Sequence, residues 1–124
     1  MQTQTSTISL AVAELNDQLR NTLSSANSSI VVCTPGVLDF IGDVSVFRSY
    51  KRRADLFREI ASLKDFTPDN DPYGERDFGS VEYEGQTFLW KIDYYDNDLQ
   101  GLSPNPEDPD QTIRVMTVML PSEY

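Results

Sequence analysis

Residues 66–96 read FTPDNDPYGERDFGSVEYEGQTFLWKIDYYD, an acidic, turn-rich segment followed by two runs of alternating apolar residues. Asp69-Asn70-Asp71-Pro72-Tyr73-Gly74 is a succession of turn formers, and Pro68 ends any helix arriving from upstream. Phe78–Glu84 and Thr87–Tyr95 are predicted strands around Glu84-Gly85, where glycine supplies the positive φ of a tight hairpin. On the second strand Phe88, Trp90, Ile92 and Tyr94 share one face; Thr87, Leu89, Lys91, Asp93 and Tyr95 share the other. The first set is the predicted core.

Downstream, DNDLQGLSPNPEDPD (96–110) carries three prolines and five acidic residues. It is expected to be a long loop, too polar to pack. Thr112–Leu120 is apolar on both faces, which predicts a central strand covered by helices on at least part of both sides. Upstream, residues 1–7 are expected to be disordered. A first helix is predicted from Ile8 to Leu23, with Leu10 or Ala11, Leu15, Leu19 and Leu23 as its stripe and Glu14, Asp17 and Arg20 off it. SSANSS (24–29) breaks that helix, and Ile30–Thr34 reads as a buried strand stopped by Pro35-Gly36.

Val37–Asp43 has no clear form. A second helix follows, from about Val44 to Lys64. Its apolar side is Val46 or Phe47, Tyr50, Ala54, Phe57, Ile60 or Ala61, and Leu63; Arg48, Lys51, Arg52, Arg53 and Arg58 occupy the other side. The expected whole is one α+β domain over residues 1–124, with two main helices packed on an antiparallel sheet of about four strands.

The chain carries a net charge of −10, unevenly placed. Residues 1–64 hold seven Lys/Arg against six Asp/Glu, and residues 65–124 hold three against fourteen. The acidic half repels nucleic-acid phosphate. It attracts cations or a basic protein surface, unless its charge serves solubility alone. The basic cluster of the second helix either grips an anion or offsets that acidity. No apolar run reaches membrane-spanning length, and the N-terminus lacks the order of a signal peptide, so cytoplasmic residence is expected. Cys33 stands alone among apolar neighbours as a small filler, in keeping with a reducing compartment.

Histidine is absent, which removes Ser–His, Cys–His and His-ligated metal chemistry. Asp69-Asn70-Asp71 begins like a calcium loop, but Ser80 stands where a bidentate Glu is needed. A nuclease-like acid two residues before Lys91 is replaced by Leu89. Asp93 and Lys91, with Asp77 or Glu75 near them, form either an acid–base set or a structural ion-pair network. Tyr73, Tyr95 and Tyr124 are candidates for a partner surface. No cofactor or metal is expected.

FTPDNDPYGERDFG (66–79), WKIDYYD (90–96) and RVMTVMLPSEY (114–124) together resemble a bacterial family known only as a domain of unknown function. The resemblance is strong over residues 65–124 and loose over Leu15–Arg20. It implies a small protein of plasmids or other mobile elements, and the family pattern tends to have His where this chain has Arg76. It implies no reaction. The expected function is a non-enzymatic acidic binder of a nucleic-acid-binding protein's basic surface, without direct nucleic-acid or membrane contact. A DNA-mimicking anti-CRISPR or anti-restriction inhibitor is its concrete form. Asp69, Asp71, Tyr73, Glu75, Asp77, Asp93, Tyr95, Asp96 and Asp98 would carry the contact. The alternative is a small-ligand, nucleotide or metal-binding protein, or a weak enzyme, with a pocket built from Tyr73, Glu75, Asp77, Lys91, Asp93 and Tyr95.

Overall fold

The hairpin forms as its sequence predicts. β2 (Phe78–Tyr83) and β3 (Gln86–Tyr95) flank Glu84 at φ 51° and Gly85 at φ 77°. Two positive φ values give a two-residue turn whose twist matches that of the strands. Around it, the computed structural model describes residues 7–22 and 29–124. These comprise α1 (Thr7–Thr22), β1 (Ser29–Cys33), α2 (Pro35–Ile41), α3 (Phe47–Ser62), the hairpin, β4 (Ile113–Met119) and a 3-10 turn, Pro121–Glu123. The expected disorder of the first residues and most of the SSANSS break lie outside the described residues.

The sheet runs β1-β4-β3-β2. β4 lies antiparallel to β3, with Trp90 opposite Val118, Ile92 opposite Met116 and Tyr94 opposite Arg114. β1 lies parallel to β4, Val31 opposite Met116, so the sheet is mixed rather than wholly antiparallel. The long excursion through the helices and hairpin gives the chain the crossover a parallel pair requires. Phe88, Trp90, Ile92, Met116 and Val118 form one buried face, onto which the helices bring Leu19, Val37, Ile41, Leu56 and Ile60. β4 is central, as expected, and the buried residues of the helices pack on this face. On the other, Met119 is buried and Ile113, Val115 and Thr117 are half-buried. The C-terminal turn reaches one end of that face and sets Tyr124 against Phe78, ring centroids 5.7 Å apart.

Further expectations change, beginning with β1, read as a buried strand, whose Ile30 and Val32 are exposed because it lies at the edge of the sheet. A third helix, α2, fills the stretch left without form and buries Val37 and Ile41. α3 begins at Phe47 rather than Val44; Phe47 and Tyr50 are exposed, and Leu56 and Ile60 are its buried residues. The buried face of α1 is Val12, Ala13, Asn16, Leu19 and Arg20, while Leu10 is exposed. Leu23 lies outside the described residues. The 96–110 loop stays largely exposed, as expected, with Ser103 its one buried residue, and satisfied polar groups tie it to Thr112. Ser103 and Thr112 are buried with their hydroxyls 2.7 Å apart, and Thr112 Oγ1 donates to Asn105 O at 2.8 Å. A polar segment is stable inside when its donors and acceptors are paired.

Candidate functional site

α1 places Asn16 against the end of the sheet, completely buried. Its amide nitrogen donates to Glu75 O at 2.9 Å and to Tyr94 Oη at 2.8 Å, and its oxygen accepts from Arg114 Nε at 2.9 Å. Arg114, across from Tyr94 on β4, also donates to Pro106 O and lies over the Tyr94 ring. Tyr94 Oη donates to a Glu75 carboxylate oxygen at 3.0 Å. Burial raises the Tyr94 hydroxyl well above its ordinary value and keeps it a donor. Burial also lowers Arg114, against the pull of Tyr94 and Glu75.

One turn along α1, Arg20 is equally hidden. Its guanidinium donates to Ile60 O at 2.8 Å and Leu63 O at 3.1 Å, pairs with Asp17 at 2.9 Å, and lies over the rings of Phe66 and Trp90. The first two bonds tie down carbonyls at the end of α3: Ile60 O, which also accepts from Leu63 N at 3.4 Å, and Leu63 O, which the helix does not continue past.

The acidic residues surround this network. The Asp71 carboxylate accepts the Arg76 backbone N–H, holding Arg76 at φ 52°, and the Arg76 guanidinium reaches Asp17 at 2.8 Å. Asp77 O accepts from Ile92 N at 2.8 Å, which carries the hairpin ladder one step past β2. Its half-buried carboxyl is pushed up to about 6, first by burial and then by the charges of Glu75, Asp71 and Asp93. Four carboxylates thus share one end of the sheet. Asp93 pairs with Lys91 at 3.2 Å.

Of the remaining predicted contact residues, Tyr73 is 79% exposed and Asp69 and Asp98 are exposed. Asp96 turns its carboxylate onto the backbone N–H groups of Asp98 and Gln100. Tyr95 is half-buried and bridges to Leu102. The set proposed as a small-ligand pocket is divided by the sheet. Glu75 meets Tyr94 on the helix side, while the strand alternation puts Lys91, Asp93 and Tyr95 on the opposite face. Among the described residues, no group of three or more His, Cys, Asp or Glu is arranged to hold a metal.

Sequence reasoning missed Asn16, Arg20 and Arg114. Arg114 carried a signal, as the one charge in an otherwise apolar strand. Asn16 and Arg20 carried a fainter one, a spacing of four residues on one helix face.

These features define a small α+β domain whose carboxylate-lined sheet end rests on a buried polar network. The chain belongs to the DUF3768 family, described as a protein of unknown function, whose model matches residues 33–123. The match reaches further upstream than the 65–124 resemblance and leaves out α1. No curated protein and no solved structure matches significantly. Glu75, Tyr94 and Arg114 therefore lie within the family match, and their partner Asn16 lies outside it.

Proposed function

We propose that this is a non-enzymatic binding protein that captures a basic surface on another protein with the carboxylates around Asp77. The observation that carries this reading is the half-buried Asp77 carboxyl, pushed up to about 6 first by burial and then by the charges of Glu75, Asp71 and Asp93 around it. Like charges held together by a fold gain more from an arriving cation than isolated ones do. A lysine or arginine of a partner relieves that repulsion and draws the last proton from Asp77. Asp69, Tyr73 and Asp98 extend the surface, and the net charge of −10 steers a basic partner toward it. The partner fitting this charge is a nucleic-acid-binding protein, and a defence nuclease inhibited by phosphate mimicry is its specific form.

The test is affinity capture from a bacterial lysate with elution in rising salt. Asp93→Lys and Asp69→Lys serve as charge-reversed baits of unchanged circular dichroism. A nucleic-acid-binding protein released by moderate salt, and lost from both variants, supports the reading. Equal capture by all three baits refutes it.

One observation favours a second reading, a small-ligand site. A carboxyl titrating at about 6 is suited to proton transfer near neutrality. A melting screen with nucleotides and divalent metals decides it, since any ligand of the native state raises the melting temperature.

A further inference from the structure

Between β1 and the α2–α3 corner lies a cavity of about 330 Å3, away from the carboxylate site. Val31, Leu38, Ile41, Val44 and Phe57 make it apolar, and Arg53 is the one ionised side chain on its lining. The neighbours of Arg53 on α3 are engaged: Lys51 and Arg58 with Asp55, and Arg52 with Glu84. Arg53 has no carboxylate within ion-pair distance among the described residues, although the chain holds 20 acidic residues against 10 basic ones. Its guanidinium lies over the ring of Tyr50, an exposed residue beside the lining, 5.6 Å from the centroid. Cys33, also on the lining, does not neutralise it; burial holds the thiol protonated against the pull of Arg53.

An apolar hollow with one unmatched cation is complementary to a molecule with one negative charge and an apolar body. The volume is at the lower end of the roughly 300–1,000 Å3 typical of small-ligand sites, so the body is short. A lone guanidinium matches the two oxygens of a carboxylate in a bidentate pair. We propose that this cavity binds a small monocarboxylate with a short apolar tail, the carboxylate on Arg53 and the tail against Leu38, Val44 and Phe57.

The single cysteine makes the test direct. Alkylation of Cys33 by iodoacetamide is followed in the full chain with octanoate, octanol or inorganic phosphate present, alongside an NMR titration with octanoate. Octanoate is expected to slow alkylation and shift the resonances of Val31 and Val44. Arg53→Gln is expected to weaken that effect by roughly 10- to 100-fold, the loss of a charge-assisted pair. The effect is read against the variant's own rate without octanoate, which falls because Arg53 no longer draws the thiol toward ionisation. Leu38→Asp, at an exposed position on the rim, is expected to weaken it as well by repulsion. No protection by millimolar octanoate overturns the proposal. Equal protection by octanol removes the role of Arg53, equal protection by phosphate removes that of the tail, and either also overturns it. Asp93→Lys leaves octanoate protection unchanged, which separates this site from the carboxylate surface.

Discussion

Asn16 and Arg114, 98 positions apart in the chain, meet at 2.9 Å, with the guanidinium Nε–H donating to the amide oxygen. Through this contact α1 is keyed to the end of β4, a central strand, by polar geometry as well as by apolar packing. Replacing either partner leaves the other buried without its hydrogen bond, the costly half of the hydrogen-bond asymmetry.

Asn16→Leu keeps the approximate volume and removes three hydrogen bonds. It is expected to cost about 2–4 kcal/mol in urea unfolding, and Arg114→Met a similar amount. The double variant is expected to cost less than the two single losses combined, with a coupling of about 0.5–3 kcal/mol. Strict additivity would show that the two residues act separately.

Asp77 gives a pH signature. Its carboxyl titrates at about 6 in the fold against 3.8 unperturbed. The folded chain therefore binds the extra proton between these values, and its contribution to stability is lost as pH rises through that window. Asp77→Asn is expected to stabilise the protein above pH 7 by about 1 kcal/mol, a figure reduced for solvent screening of a half-exposed group. The gain should vanish below pH 4. Thermal melts of both proteins from pH 3.5 to 8 check it, and an equal gain at every pH would assign the effect to something other than charge.

Arg20 is a test of geometry over charge. Arg20→Lys keeps the cation but loses the planar fork that spans Ile60 O, Leu63 O and Asp17. A loss of about 2–3 kcal/mol is expected, with a shift in Trp90 fluorescence because the guanidinium lies over that ring. A lysine variant as stable as the parent would show that charge alone suffices.

Two glycines of the hairpin should fail for different reasons. A Cβ on Gly79 would stand 2.7 Å from both Leu63 Cδ2 and Trp90 Cζ2, so Gly79→Ala overpacks the core at about 1–3 kcal/mol. Gly85 has nothing within 4 Å but sits at φ +77°, so Gly85→Ala costs about 1–2 kcal/mol through backbone strain alone. Asparagine, which tolerates that conformation, is expected to rescue position 85 and not position 79. Urea unfolding of the four variants separates the two causes.

The hairpin was legible because its information is local: Glu84-Gly85 dictates the turn, and the alternation of Phe88, Trp90, Ile92 and Tyr94 dictates the face. α2 was hidden because seven residues are too few to establish a period. The parallel pairing of β1 was hidden because five β-branched or small residues state a strand without naming its neighbour. Arg20 and Asn16 misled the reading of α1 because their burial depends on carbonyl and guanidinium groups tens of residues away. The acidic motif was legible as a surface. That Asp71 and Asp96 spend their carboxylates on nearby backbone N–H groups appears only in three dimensions.

β4 is the strand on which both β1 and β3 depend, and it is the last one in sequence. During synthesis, the helices and the β2–β3 hairpin emerge while the middle of the sheet does not yet exist. Val31 waits for Met116, and Trp90 for Val118. Until residue 119 has been made, β1 and β3 each present a bare edge to their surroundings, the condition under which nascent chains mispair. The order in which this chain is translated therefore runs against the order in which its sheet is built.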